Sequence, residues 1–311
     1  MLDQAAPLEQ YDPECAAVVL NALARERVTI RSGVTINVVR QIQEQIQGLE
    51  RVYRQMQAPQ PHVQVDIVTA GGEIRRGDAA RHRETIDGTH ILVAAGRRPN
   101  LAGLALEAAV IRYGPRGIAV NRRLRARNRR VYAIGEAAGA PSYPQVAHHQ
   151  AGLIVRNALF RTLVRPDRDA IPLVTYTDPQ LAQLGMTEDA ARSRYGIIRV
   201  LRYGIIRVLT SSYRENDRAQ ANRAANGHIK IVTDRRGGIR GVTIVGAAAA
   251  ENIATFSLAI NRRLNIEALA GLIMPYPSFA EVGKRAATTY FTGGLTSPLV
   301  RRIIGRLRRF G

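Results

Sequence analysis

The pattern of the chain changes at about residue 170, and that change constrains the fold more than any single motif. Beyond it, segments of strand character come first, at 173–177, 197–209, 228–232 and 239–245. Residues 234–238 between the last two read as a hairpin turn. Helical spacing then takes over at 251–263, 266–272 and 278–290. Strands followed by helices predict a separate α+β domain. Before residue 170 the chain holds two continuous apolar runs that end in glycine, THILVAAG at 89–96 and VYAIG at 131–135. Runs of that kind suit central, buried strands of a parallel sheet, so the first part reads as α/β. At 311 residues the chain is long enough for two cores.

Local signals place further elements. Asp12-Pro13-Glu14 combines a capping side chain, a proline in the first turn and an acid near the helix dipole, so a helix is predicted from residue 12. Short strands are predicted at 28–30, 34–38, 63–68 and 84–86, and a helix at 145–160. Apolar residues at helical spacing over 39–57, with a Gln-rich opposite face, predict an exposed amphipathic helix. The octapeptide RYGIIRVL occurs twice in succession, at 194–201 and 202–209. Eight is an even number, so a duplication preserves the in/out alternation of a strand; alternatively Arg202-Tyr203-Gly204 makes a hairpin loop. From Pro298 the chain alternates apolar residues with five arginines in a helical stripe. Such a basic amphipathic helix suits a membrane surface, and equally a tail packed on its own domain or a partner subunit.

Composition removes several function classes. One cysteine, Cys15, forbids an internal disulfide and any Cys-x-x-Cys pair, and its pattern is that of a small buried hydrophobe on a helix face. No Gly-x-Gly occurs, so a dinucleotide fingerprint is absent from these residues, and no Gly-x-Ser-x-Gly elbow occurs. Of the six histidines only His148 and His149 are neighbours, and adjacent helical residues do not share a face, so no metal site is expected. The net charge of +20 comes from arginine spread along the chain, with lysine only at 230 and 284. Without tryptophan, and with 5% aromatic residues, the base-stacking surface of a nucleic-acid module is not expected. No apolar run reaches the roughly 18 residues of a membrane span, and no signal pattern opens the chain, so a cytoplasmic location is expected.

Three segments carry chemistry: AAGRRPN at 94–100, VYAIGEAAG at 131–139 and PYPSFAEVGKRAA at 275–287. An acid at the carboxyl end of a strand lies where α/β sheets bind ligands and can accept bonds from sugar hydroxyls. In that order, with TYTDPQLAQLGMTE at 175–188 between the second and third, the segments resemble the C-terminal portion of the pyridine nucleotide-disulfide oxidoreductases. The resemblance implies partial Rossmann-type NAD(P)- and FAD-domain remnants followed by an α+β dimerisation domain. Residues 1–99 would be a truncated NAD(P)-binding domain with an inserted helix, 100–169 the returning segment of the FAD domain, and 170–311 the interface domain of a homodimer. It implies FAD and NAD(P)H as cofactors and a thiol or other small molecule as substrate. Gly96 and Arg97 match the turn that leads back toward the flavin. Gly135 matches a close-approach glycine, and Glu136 stands where the family has an aspartate bonded to the ribityl chain. Tyr276 and Glu281 stand at the positions of a His–Glu acid/base pair that serves the partner's thiols; tyrosine has a reference pKa near 10 against about 6.5 for histidine. The redox cysteine pair and both fingerprints are not among these residues, so the chain is expected to be inactive alone. The alternatives are a non-catalytic dimerisation module and a basic nucleic-acid or membrane-surface binder.

Overall fold

In the computed structural model, residues 1–42, 62–69, 82–166, 171–196, 206–295 and 298–308 are described. They form two compact units, one from 1–92 with 172–311 and one from 93–171. Most of the expected amphipathic helix at 39–57 and the centre of the repeated octapeptide lie outside the described residues.

The first unit is built on an antiparallel five-stranded sheet. Its strands are β6 (Leu173–Thr175), β7 (Gln180–Gly185), β8 (Arg207–Ser212), β9 (His228–Thr233) and β10 (Ile239–Gly246), in the order β6-β7-β10-β9-β8. Of the three inner strands, β9 and β10 are almost wholly buried, which explains their near-continuous apolar sequences. They join through the 234–238 turn: Asp234 Oδ1 accepts the backbone N–H of Arg236 at 2.8 Å and of Gly238 at 2.9 Å. Gly241 sits against the next turn so closely that a Cβ would meet the Met186 carbonyl oxygen at 1.8 Å, so only glycine fits. Behind the sheet pack α5 (Ala249–Asn261), α6 (Ile266–Ala270) and α7 (Glu281–Leu295), burying Ile253, Phe256, Ile266, Val282 and Ala286 against Ile229, Ile231, Ile244 and Tyr213.

Helix α1 (Pro13–Arg25) begins as its sequence dictates. Asp12 caps it, with Oδ1 accepting the N–H of Glu14 at 3.1 Å and of Cys15 at 3.4 Å. Cys15, Ala16 and Val19 face inward and pack with Tyr11, Leu181 and Val245. Full burial of one such aliphatic side chain is worth roughly 1.5–3 kcal/mol. A second sheet, β1 (Val34–Ile42), β2 (His62–Thr69) and β3 (His82–Gly88), is an antiparallel meander with a register shift between Ile36 and Val38. Residues 39–42, expected to begin the amphipathic helix, belong instead to β1, where the ladder to Val65, Gln64, Val63 and His62 overrides the helical spacing. The expected strand at 28–30 is not formed; Arg31 makes a single parallel bridge to Leu2.

The second unit holds little regular structure. It contains a two-residue hairpin, β4 (Tyr113–Gly114) and β5 (Gly117–Ile118), a 3-10 turn at Gly135–Ala138 and α2 (Pro144–Leu159). Its core is Leu106, Ile111, Ile118, Ala126 and Ala133.

Neither glycine-ending run forms the expected parallel strand. Residues 89–96 have no strand assignment, and Leu92 is 92% exposed. VYAIG makes only an antiparallel bridge, Tyr132 to Arg125. A strand needs a neighbour to satisfy its backbone, and among the described residues no strand runs alongside 89–96. The two copies of the octapeptide are each described in part, at positions that do not correspond. Arg194–Gly196 of the first copy end α3 (Glu188–Gly196), while Arg207, Val208 and Leu209 of the second open β8.

Candidate functional site

Four of the expected site residues meet in the second unit. Gly96 has φ +92° and Gly135 has φ +57°, both in the region glycine tolerates. Gly135 is held from behind by α2: its N–H donates to Gln150 Oε1 at 2.8 Å, and a Cβ at this position would stand 2.9 Å from the Ala147 Cβ. The backbone of the next residue is thereby fixed, and Glu136 leaves the first turn of the 3-10 segment in a defined direction. Arg97 reaches this corner, with Nη2 3.5 Å from Glu136 Oε2 and Nη1 donating to the Ser142 carbonyl at 3.2 Å. The other carboxylate oxygen, Oε1, is buried and has no hydrogen-bond partner among the described residues. A buried carboxylate oxygen without a donor is costly, so this corner suits a ligand that brings a hydroxyl group.

The other two expected residues lie in the first unit and are not paired with each other. Tyr276 is 70% exposed and its hydroxyl donates to Asp217 Oδ2 at 2.7 Å. The hydrogen bond and charge of Asp217 raise the Tyr276 pKa above its ordinary value, with Glu281 adding in the same direction. Glu281 instead turns back on its own helix, its Oε2 accepting the N–H of Ser278 at 3.3 Å. Asp217 was not expected from sequence. It follows the buried Asn216, whose Nδ2 donates to the Ser278 carbonyl at 2.9 Å and so ties the short helix α4 (Asp217–Ala221) to the Tyr276 loop.

A polar cluster under α1 also escaped the sequence reading. Lys230 Nζ lies 2.9 Å from Asp12 Oδ2, 2.7 Å from Glu188 Oε2 and 3.2 Å from Glu14 Oε2. The Lys230 and Asp12 side chains are 5% and 1% exposed. Burial disfavours the ammonium, but the three carboxylates outweigh it and the Lys230 pKa is raised. Beside it, Cys15 Sγ lies 3.2 Å from His228 Nε2. Burial first, then the nearby Asp12 charge, pushes the Cys15 thiol well above its ordinary value, so it is no ready thiolate. Burial holds His228 below the ordinary histidine value. The available signal was a lysine inside the apolar strand HIKIVT, in a chain that otherwise uses arginine almost throughout.

Comparison with known proteins gives two family matches. The description "Pyridine nucleotide-disulphide oxidoreductase" matches residues 2–151, and "Pyridine nucleotide-disulphide oxidoreductase, dimerisation domain" matches 171–287. A mercuric reductase of Lysinibacillus sphaericus is 31% identical over 288 residues, covering 91% of this chain and 46% of that protein. A dihydrolipoyl dehydrogenase of Bacillus subtilis is 31% identical over 193 residues, covering 62% of this chain and 40% of that protein. Among solved structures, LpdA of Mycobacterium tuberculosis has a TM-score of 0.75 at 22% identity, over 93% of this chain and 55% of that one. The Cu(II) complex of the HOCl-induced flavoprotein disulfide reductase RclA of Escherichia coli has a TM-score of 0.73 at 19% identity, over 93% of this chain and 57% of that one. The chain spans about half the length of the curated relatives it matches.

Proposed function

The chain belongs to the pyridine nucleotide-disulfide oxidoreductase family, and from that premise we propose that its 311 residues supply the flavin-side returning segment and the subunit interface of an FAD-dependent NAD(P)H oxidoreductase, without turning over alone. The division into NAD(P)-domain residues 1–99, FAD-domain residues 100–169 and interface residues 170–311 belongs to the same reading.

The observation that carries it is the corner at Gly135–Glu136. Glu136 Oε1 is buried without a donor among the described residues, Gly135 is locked by Gln150, and Arg97 stands beside the second carboxylate oxygen. These residues fit FAD: Glu136 would accept a hydroxyl hydrogen bond from its sugar-alcohol chain, Arg97 would orient the carboxylate, and Gly135 would let the chain approach closely. When bound, the flavin supplies electron transfer between a nicotinamide and the final acceptor. Tyr276 would act across the interface toward the partner subunit's site. With its proton held by Asp217 it is a hydrogen-bond donor rather than a base. Thiol exchange needs a reactive thiolate, and the one cysteine of this chain is buried with its proton retained. The match of residues 171–287 to the dimerisation domain supports a homodimer through 170–311.

Titration of FAD, followed by quenching of flavin fluorescence, tests the corner. Weak, saturable binding by the wild type is expected, with Glu136→Ala weakening it by roughly tenfold, the worth of one charge-assisted hydrogen bond. Equal affinity of the two proteins sinks the assignment of Glu136. A purely structural dimerisation module is the second reading, favoured by the well-packed five-stranded sheet unit; it predicts a species of twice 34.1 kDa in sedimentation with no flavin affinity at all.

A further inference from the structure

The last helix has an apolar face that the rest of the described chain does not cover. Helix α8 (Pro298–Leu307) follows α7, and Ile303, Ile304 and Leu307 on it are 48%, 41% and 64% exposed. At about 100° per residue, Val300, Ile303, Ile304 and Leu307 fall within an arc of roughly 100°. Arg302, Gly305 and Arg306 occupy the remaining circumference, and Arg308 follows the last turn; all four are exposed. Among the described side chains the two faces are separate, and from Val282 to Gly311 the sequence contains no acidic residue.

Two features on this helix bear on what covers it. The match to the dimerisation domain ends at residue 287, before α8 begins, so the matched interface does not account for this face. The charge beside the apolar stripe is of one sign, with no acid on the helix to pair with the same arginines of a second copy. A surface that offers a negative layer at its boundary and an apolar layer just beneath satisfies both halves of the helix at once. A lipid bilayer with anionic headgroups has that construction. With ten residues the helix is too short to span a bilayer, and among the described residues no helix is long and apolar enough to do so.

We propose that α8 is a peripheral membrane anchor, lying in the plane of an anionic bilayer with Ile303, Ile304 and Leu307 buried below the headgroups and Arg302, Arg306 and Arg308 on the lipid phosphates. The chain would then work at a membrane surface without crossing it. Long arginine stems can lie along the apolar boundary while their guanidinium groups stay with the phosphates. One short helix supplies weak, reversible attachment, and two copies in a dimer raise its retention by avidity.

The test is cosedimentation of the full chain with phosphatidylcholine vesicles that contain or lack about 30 mol% phosphatidylserine, at about 0.1 M salt. The wild type is expected to pellet with the anionic vesicles and to stay in solution with the neutral ones. Ile304→Ser with Leu307→Ser leaves the charge unchanged and should lower partitioning more than tenfold. Arg302→Glu with Arg306→Glu leaves the apolar stripe intact and should lower it by a similar factor, at roughly fivefold per basic residue removed. Both variants change exposed side chains, and an unchanged circular-dichroism spectrum and sedimentation coefficient show that they stay folded and associated. Absence of wild-type binding overturns the anchor. So does full retention by the Ser variant, which would place the attraction on arginines elsewhere. Dissociation of a dimer by the Ser variant, with no vesicle binding by the wild type, would assign the face to a second copy instead.

Discussion

Replacing Lys230 by alanine removes the central cation from a group of three carboxylates and leaves Glu188 with Arg192 as its cation. Asp12, 1% exposed at its side chain, would be left charged and uncompensated, and Glu188 would lose its contact at 2.7 Å. Glu14 is 72% exposed and water would replace most of what it loses. Breaking a buried pair from one side costs ~3–5 kcal/mol, mostly the cost of the stranded charge. Asp12 also caps α1, so the loss reaches the helix that covers Leu181 and Val245. For a unit of this size, each kcal/mol lowers Tm by roughly 2–4 °C, so a fall of about 10 °C is expected in calorimetry. Lys230→Met with Asp12→Asn should regain most of that, because neither charge is then buried alone. The pH dependence follows from the shifts. Lys230, raised above 10.5, contributes fully below that value and its contribution is lost as pH rises through the still higher folded value. Glu188, held below 4.5 by its hydrogen bond to Lys230, contributes above that value and is lost as pH falls through the lower folded value. The Lys230→Ala penalty should therefore be flat between these limits. A penalty under about 1 kcal/mol, or a double variant whose loss equals the sum of the single losses, would refute the reasoning.

Other outcomes can be checked separately. Gly135→Ala places a Cβ 2.9 Å from Ala147 at a φ of +57°, and should cost about 1–3 kcal/mol in urea unfolding. Asp217→Asn should bring the Tyr276 titration, followed by ultraviolet difference absorption, back down toward the ordinary 10, since the carboxylate is the main cause of its elevation. His228 is held neutral by burial, so the folded state binds fewer protons than the unfolded one as pH falls below about 6.5. Stability should therefore drop on acidification through that range, and His228→Gln should flatten the drop in thermal melts from pH 7 to 5.

What could be read from the sequence, and what could not, follows from where each signal resides. The cap of α1 was legible because Asp12, Pro13 and Glu14 act within one turn. The strands at 228–233 and 239–246 were legible because burial on both faces writes an apolar run into the residues themselves. Strand β7 was missed: QLAQLG carries glutamines three residues apart, and the buried Gln183 is satisfied by the nearby Gly185 carbonyl and by the Thr243 hydroxyl of β10, a partner sixty residues away. The run at 89–96 misled for the converse reason: its composition records an apolar, strand-like segment, while a strand forms only where a neighbour lies. Glu136 and Arg97 were found as single positions, but their mutual approach depends on Gln150 behind Gly135, which no spacing announces. Asp217 and the Lys230 carboxylates were invisible for the same reason, since each contact joins distant segments.

The most direct test of the proposed function is the visible absorption spectrum of the purified chain after incubation with FAD and removal of free cofactor, followed by addition of NADH or NADPH. A colourless protein that oxidises neither nucleotide is expected, because the Glu136 corner offers one contact while the dinucleotide fingerprint and the redox cysteine pair are not among these residues. A retained flavin band that bleaches with either nucleotide would contradict it, and would mean that these 311 residues assemble a redox site of their own.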